Sequence, residues 1–221
     1  MREEPATPKL FSAIRIGAVV LVIVLATLVV LFKGPGTLAA YAESFQENLA
    51  VATIIFFGLF LFKSISFGLP YTVLYVAIGH IYPLPVALII NTAGIALNMQ
   101  IPYFVGRYGK VSFVDRLVEK AGFVKRFRER DESNEVVFAF LVKFIGVVPH
   151  EITNLLLGSM KIGYLNYLIG GVGGLLPGMI ATTFAGDSMT EPLSPQFIIA
   201  VVVFVALLVG SYLLSRGVRR D

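Results

Sequence analysis

Apolar residues form long runs along this chain, separated by short segments rich in polar residues, glycine and proline. The longest predominantly apolar runs are residues 16–32, 84–106, 164–186 and 196–214. An α-helix needs about 20 mostly apolar residues to cross a bilayer. The pattern therefore predicts four transmembrane helices, of which the first and the last flank the rest of the chain.

A cleaved signal peptide is the alternative interpretation of residues 16–32. A signal-peptide core has roughly 7 to 15 apolar residues, and this run is longer. The small-residue site Ala40-Tyr41-Ala42 also lies well beyond its end. We therefore interpret the run as a retained first transmembrane helix.

Two further apolar runs are broken by proline where a spanning helix would continue. Their second arms are too short to cross a bilayer alone. They predict two re-entrant helical hairpins, residues 49–79 and 136–158, whose second arms end at Gly79 and Gly158. Irregular backbone at this depth is tolerated only inside protein or beside a water-filled cavity, so the hairpins indicate a pathway. The predicted bends are Gly68 and Pro70 in the first hairpin and Gly146 and Pro149 in the second.

The composition is that of an all-α integral membrane protein. The 221 residues are 57% hydrophobic and 14% charged, whereas soluble domains carry about 25% charged residues. The mean hydropathy is +0.83. The chain has no cysteine, which excludes disulfides and thiolate metal sites within it.

The charged residues concentrate in residues 107–135, which hold eight Lys or Arg and six Asp or Glu. Apolar residues recur there at helical spacing, which predicts an amphipathic helix on the cytoplasmic membrane surface. A solvated linker helix is an equally good interpretation. Residues 37–48 predict a short interfacial helix.

A shift of 79 residues superposes the two hairpins and the spans that follow them. Each unit crosses the membrane once, because its hairpin returns to its own side, so the second unit is inverted relative to the first. Inverted repeats with broken helices are typical of transporters. We expect Gly94, Gly173 and Pro177 to mark close packing within the spans. The coinciding residues are Pro70 and Pro149, Gly79 and Gly158, and Gly94 and Gly173.

The distribution of basic residues supports this topology. With a cytoplasmic N-terminus, 14 of the 18 Lys and Arg lie on the cytoplasmic side, as the positive-inside rule requires. Replacing each hairpin by one full crossing would put residues 107–135 outside. Both termini are therefore predicted to be cytoplasmic.

Residues 141–178 read LVKFIGVVPHEITNLLLGSMKIGYLNYLIGGVGGLLPG, and residues 68–109 read GLPYTVLYVAIGHIYPLPVALIINTAGIALNMQIPYFVGRYG. These segments resemble the second and the first half, respectively, of the DedA superfamily domain, also called the VTT or SNARE-associated Golgi domain. The resemblance covers about residues 50–190. It divides the chain into an N-terminal tail and transmembrane helix (1–36), a DedA/VTT-like domain (37–190) and a C-terminal transmembrane helix with a basic tail (195–221).

The resemblance implies lipid translocation. Members are described as phospholipid scramblases or as carriers that return polyprenyl phosphates across the bilayer, and some couple transport to protons through embedded carboxylates and arginines. This chain departs from the bacterial branch, with Tyr71 and Thr72 at acidic positions and Lys143 at the arginine position. Both departures place it nearer the branch found in eukaryotes and many prokaryotes.

The polar residues around Pro149 form the candidate headgroup site. A lysine or carboxylate at the bilayer centre costs about 2.5 to 3.5 kcal/mol on insertion scales, so it needs a partner or a use. Lys143 is the candidate point charge, with Asn154 and free backbone N–H groups at the bend as donors. The alternative is a Lys143–Glu151 pair that only closes the hairpin tip. The candidate residues of this hairpin are Lys143, His150, Glu151, Thr153 and Asn154.

Further polar residues extend the candidate site. Lys63 is a near-symmetric counterpart of Lys143, or it extends to the interface. Asn91 and Asn98 face the same cavity or join helices. Glu151 and His150 are the candidates for proton coupling, since a histidine, and a carboxylate in apolar surroundings, can exchange protons near neutral pH.

A lipid flippase or scramblase is the predicted function. The alternatives are a proton- or ion-coupled transporter of another small anion and a non-catalytic scaffold. An enzyme is disfavoured, because two histidines without a His-Glu-x-x-His motif predict no metal site, and we expect no cofactor. Membrane lipids are the expected partners, and nucleic acid is not expected. Whether the protein forms a homo-oligomer is an open question at this point. The expected location is a prokaryotic plasma (inner) membrane.

Overall fold

The computed structural model describes residues 45–66, 69–109, 134–146, 148–189, 191 and 194–220. Within these residues the regular elements are α-helices, and no strand occurs among them. The helices, in chain order, are α1 (Leu49–Ile65), α2 (Tyr71–Ile81), α3 (Leu84–Tyr108), α4 (Glu135–Ile145), α5 (His150–Ser159), α6 (Tyr164–Asp187) and α7 (Pro195–Arg220).

Two of these helices are long and apolar enough to cross a membrane. They are α3, with 25 residues, and α6, with 24, and each has a mean hydropathy of 1.5. At 1.5 Å per residue such a helix is about 36 Å long, more than the roughly 30 Å of a bilayer's hydrocarbon core. The helix α7 has 26 residues and contains the predicted last span.

Several predicted elements lie outside the described residues. These are the first transmembrane helix (16–32), most of the interfacial helix (37–48), the bend residue Gly68 and residues 110–133 of the surface helix. At the described ends of the latter segment, Arg107 belongs to α3 and Glu135 begins α4.

The chain breaks its helices at both proline positions that the sequence indicates. Pro70 immediately precedes α2, and Pro149 immediately precedes α5, each in an extended conformation. Gly146 ends α4 with a φ of 60°, a left-handed conformation that costs glycine little because it has no Cβ. The two apolar segments are therefore helix–break–helix units rather than continuous spans.

Gly79 and Gly158 do not end their helices, contrary to the prediction. The helix α2 continues to Ile81, and α5 continues to Ser159. A Cβ on Gly79 would collide with the carbonyl oxygen of Thr183, and a Cβ on Gly158 with that of Tyr103. Both glycines are needed because two helix backbones touch there, not because a helix stops.

These contacts belong to a reciprocal packing of two units, which we define as α1–α3 (the first unit) and α4–α6 (the second unit). The helix α1 packs on α3, and α4 packs on α6, within each unit. Between the units, α2 packs on α6, and α5 packs on α3. Each short helix is thus held by the long helix of the other unit.

Matching contacts recur at two slightly different offsets. The Val76 carbonyl lies against Gly186, and the Leu155 carbonyl lies against Gly106. Within the units, Phe60 lies against Gly94 through its ring, and Phe140 lies against Gly174 through its carbonyl oxygen. Gly173, predicted to correspond to Gly94, makes only ordinary contact with the Phe140 ring. The long helices and the first arms therefore match at an offset of 80 residues, and the second arms at 79.

The last helix closes one side of this assembly. The helix α7 packs against α6 and, through fewer residues, against α4. Ala200 on α7 is buried, whereas Ile199 and Val202 are exposed. An exposed aliphatic surface of this kind is compatible with lipid contact.

Candidate functional site

The two helix breaks open onto one cavity of about 380 Å³. Part of the cavity wall is polar and combines residues of both units. The apolar part of the wall includes Leu175 and Met179 of α6 and Phe204 and Leu207 of α7. The polar side chains that line the cavity are Lys63, Tyr71, Thr72, Tyr75, Lys143, His150, Glu151 and Thr182.

Lys143 holds the two helices of the second break together. Its side chain is almost fully buried, and its Nζ donates to the His150 carbonyl oxygen at 3.0 Å and to Thr153 Oγ1 at 2.7 Å. The third acceptor is Asn154 Oδ1. Three acceptors match the three hydrogens of an ammonium group. The last turn of α4 is thereby tied to the first two turns of α5.

A second layer, formed by Tyr167 of α6 with residues of α3, supports this arrangement. The Tyr167 hydroxyl on α6 lies 2.9 Å from Asn154 Oδ1 and 2.7 Å from the Met99 carbonyl oxygen on α3, so its hydrogen serves these two acceptors. The Tyr167 ring also stacks on Tyr103, with centroids 4.2 Å apart. Asn154 thus joins α5 to α6, while Tyr167 reaches α3.

An ion pair joins the two units across the cavity. Lys63, in the last turn of α1, pairs with Glu151, in the first turn of α5. The Lys63 ammonium also lies 4.2 Å from the centre of the Tyr71 ring, a cation–π arrangement. Glu151 is therefore paired with Lys63 and not with Lys143, the partner considered from sequence. Removing one partner of such a buried pair leaves an unpaired charge, which typically costs about 3–5 kcal/mol.

Asn98 holds the first break in a comparable way. Its Oδ1 accepts a hydrogen bond from the Tyr71 hydroxyl, and its Nδ2 donates to the Phe60 carbonyl oxygen at 2.8 Å. One amide of α3 therefore connects the end of α1 with the start of α2. The side chain is fully buried and does not line the cavity.

The N-termini of α2 and α5 both reach the cavity wall. Their first residues, Tyr71 and His150, line it together with Pro70 and Pro149. Neither N-terminus has a side-chain cap. Because a helix N-terminus carries a partial positive charge and unused N–H groups, both favour an anion in the cavity.

Tyr75 adds an unused donor to this wall. Its ring stacks on Tyr71 with centroids 5.5 Å apart, and the residue is 5% exposed. Its hydroxyl is buried without a hydrogen-bond partner among the described residues. A buried unpaired hydroxyl is costly, and the residue lines the cavity, so a ligand or water there is a candidate partner.

The structure divides the predicted site residues into three groups. Lys63, Lys143, His150 and Glu151 meet at the cavity. Thr153, Asn154 and Asn98 lie behind its wall and hold the residues that face it. Asn91 lies elsewhere and donates to Thr183 Oγ1 at 2.9 Å, which links α3 to α6.

The residues that the sequence did not single out are mainly tyrosines. Tyr71 and Tyr75 are four residues apart, so they lie on one face of α2 directly after Pro70. Tyr167 has no comparable local signal, because an apolar span with one tyrosine does not differ from an ordinary core helix. Across the described ranges, no three His, Asp or Glu side chains come together as a possible metal site.

Comparison with known protein families gives a match that includes α2 and α3 of the first unit and the whole of the second unit. The family model described as VTT domain matches residues 69–188, which is more than half of the chain. The matched segment runs from the first break to the end of α6 and so contains most of the cavity wall. Lys63 and α7 lie outside it. No curated protein and no solved structure matches the chain.

Proposed function

Because the chain belongs to the VTT domain family, the domain of the DedA family, we propose that it is a membrane lipid translocase, a flippase or scramblase. The lipid would be a phospholipid or a polyprenyl phosphate, whose headgroup passes through the cavity between the two breaks. The observation that carries the proposal is a cavity at which two buried lysines and two uncapped helix N-termini meet.

The charge of the cavity favours an anionic or zwitterionic headgroup. By formal charge, Lys63 and Lys143 exceed Glu151 by one positive charge. The helix N-termini add partial positive charge to the same wall. Charged and dipolar groups act strongly on a phosphate here, because the low-dielectric surroundings screen them little.

The apolar wall favours an amphiphile over a freely soluble anion. Met179 of α6 and Phe204 and Leu207 of α7 line the same cavity as the polar residues. Such a surface accommodates acyl or prenyl chains while the headgroup contacts the polar wall. A soluble anion would leave the apolar wall unused.

We propose that the two units are an inverted repeat and that their helix–break–helix segments are re-entrant hairpins from opposite leaflets. The reciprocal packing and the matching glycine contacts support this arrangement. The positive-inside distribution supports cytoplasmic termini, and we keep the plasma membrane as the proposed location. In this arrangement the cavity lies near the bilayer midplane, where transporters of this type bind their substrates.

Reconstitution into liposomes tests the function. Vesicles carry labelled phosphatidylethanolamine, phosphatidylglycerol or polyprenyl phosphate, and the label reaching the outer leaflet is quenched. We expect the wild-type protein to speed movement of at least one of these lipids. Lys143→Ala should slow it by about tenfold or more, because three buried acceptors lose their donor and the second break is no longer held.

The matched control is Ile89→Ala, which changes an exposed aliphatic side chain of α3. It should transport as the wild type does. Equal leaflet exchange with and without protein, over all three lipids and several pH values, would contradict the proposal. Uptake of a soluble phosphate or carboxylate without lipid movement would favour the alternative, a coupled small-anion transporter. Activity in cells that survives Lys143→Ala would favour a scaffold.

A further inference from the structure

The two lysines in the cavity differ in how many of their hydrogens are engaged. Lys143 has three acceptors, which are the His150 carbonyl oxygen, Thr153 Oγ1 and Asn154 Oδ1. A lysine ammonium has three hydrogens and no more. Lys143 therefore has no hydrogen left for a ligand unless it gives up a bond that holds the second break.

Lys63 is engaged much less completely. Among the described residues its only hydrogen-bond acceptor is Glu151, and a second contact goes to the face of the Tyr71 ring. A ring face neutralises part of the charge but does not accept a full hydrogen bond. Two of the three hydrogens of Lys63 thus stay available on a side chain that lines the cavity.

Tyr75 provides a second available donor on the same wall. Its hydroxyl is buried, faces no acceptor among the described residues, and belongs to a residue that lines the cavity. A phosphate oxygen could accept from it, and a phosphate group has enough oxygens to accept from Lys63 at the same time. The Tyr75 ring stacks on the Tyr71 ring with an interplanar angle of 8°, which positions the phenol oxygen while its hydrogen can turn toward an acceptor.

Glu151 occupies the position that an anionic ligand would take beside Lys63. If a phosphate replaces the carboxylate, Lys63 stays paired in both states, and no unpaired ammonium is buried at any stage. The displaced carboxylate remains in the first turn of α5, where the helix N-terminus stabilises negative charge. The exchange therefore keeps Lys63 paired and leaves the Glu151 carboxylate beside a helix N-terminus, which offsets part of the loss of its partner.

We infer that Lys63 and Tyr75, and not Lys143, are the direct contacts for a phosphate-type anion, and that Glu151 is an internal counterion which this anion displaces. Lys143 is then a positioning residue that keeps the second break in shape. The inference rests on the proposed function, since it names the ligand contacts of the same cavity. It reverses the assignment that the sequence suggested, in which Lys143 is the point charge.

Anion binding to the purified full-length protein in detergent tests this directly. The probe is dihexanoyl phosphatidic acid, titrated by calorimetry, with dihexanoylglycerol as the uncharged control and inorganic phosphate as a separate arm. Binding of phosphatidic acid alone identifies a lipid headgroup, and equal binding of inorganic phosphate identifies a free anion as an equally good ligand. Dihexanoylglycerol should not bind measurably.

Substitutions of the ion pair give opposite expected results. Glu151→Gln removes the competing carboxylate and should lower the Kd for the probe by about tenfold, because an amide competes poorly with a phosphate for an ammonium. The double variant Lys63→Met with Glu151→Gln buries no unpaired charge and nearly conserves volume. It should lose probe binding by at least about tenfold relative to Glu151→Gln alone.

Two further variants separate contact from positioning. Tyr75→Phe keeps the stacked ring and should raise the Kd about fivefold or more without lowering the unfolding temperature. Lys143→Met should lower the unfolding temperature, yet below that temperature it should leave the Kd within about threefold of wild type. If Lys143→Met does not fold, the ion-pair variants and Tyr75→Phe decide the question alone.

The inference is wrong if the double variant binds as tightly as Glu151→Gln, or if Glu151→Gln weakens binding. Its failure is distinguishable from failure of the proposed function. Lipid movement in liposomes that survives the double variant leaves the translocase proposal standing without these contacts. Tight binding that follows the expected order, in a protein that moves no lipid, leaves the contacts standing without translocation.

Discussion

At the second break, residues that are conspicuous in the local sequence contact partners far away in the chain. The sequence identifies Lys143 and Asn154 because charged and amide side chains stand out in an apolar run. It does not reveal that Glu151 pairs with Lys63, 88 positions away in the chain. That contact depends on how the two units assemble, and periodicity along one helix contains no information about it. Tyr75 is missed for a related reason, since a tyrosine in an apolar helix usually belongs to the core.

Asn154 allows a stability test at this scale. Its Oδ1 accepts from Lys143 and lies 2.9 Å from the Tyr167 hydroxyl. Asn154→Ala leaves both donors short of an acceptor, so we expect the free energy of unfolding to fall by about 1–3 kcal/mol. Thermal or denaturant unfolding in detergent, followed by circular dichroism, measures it. An unfolding curve identical to that of Ile89→Ala would contradict the described network.

Individual helices were well predicted where the signals are local. Helix α3 runs two residues beyond its predicted end, and α6 one residue beyond. Both breaks occur next to the indicated prolines, because proline lacks an N–H and restricts the residue before it. The role of Gly79 and Gly158 was missed, since a glycine that ends a helix and one that admits a neighbouring backbone are identical in sequence. It was also missed that the first arms match at an offset of 80 residues and the second arms at 79, because one shift was applied to the whole unit.

The close contact between α5 and α3 can be tested with two glycine substitutions that should change the free energy of unfolding in opposite directions. Gly158→Ala places a Cβ against the Tyr103 carbonyl oxygen, so the helices must separate, at a cost of about 1–3 kcal/mol. Gly58 of α1 has no atom near its missing Cβ. Gly58→Ala should therefore stabilise the protein by about 0.5–1 kcal/mol, the difference between glycine and alanine in a helix. Unfolding temperatures in the same detergent compare the two, and equal shifts for both variants would show that α5 does not contact α3 as described.

The fold and the cavity of the whole molecule both depend on contacts between the two units. Each short helix lies against the long helix of the other unit, and the Lys63–Glu151 pair crosses the same boundary. The cavity consequently exists only in the assembled protein, with α7 supplying part of its apolar wall. Sequence patterns predicted the charged residues of the cavity but not its tyrosines. They also did not predict its enclosure, because α7 has no polar signal that directs it there.

The side of the membrane on which each unit begins and ends tests the central claim most directly. The chain contains no cysteine, so single cysteines can be introduced without removing native ones. Glu47→Cys and Pro85→Cys bracket α1 and α2, and Asn134→Cys and Lys161→Cys bracket α4 and α5. A membrane-impermeant maleimide applied to intact cells should label the first two and should label the last two only after the membrane is opened. Labelling of one member of either bracket from each side would mean that the segment crosses the bilayer, and would contradict two re-entrant segments meeting at a common cavity.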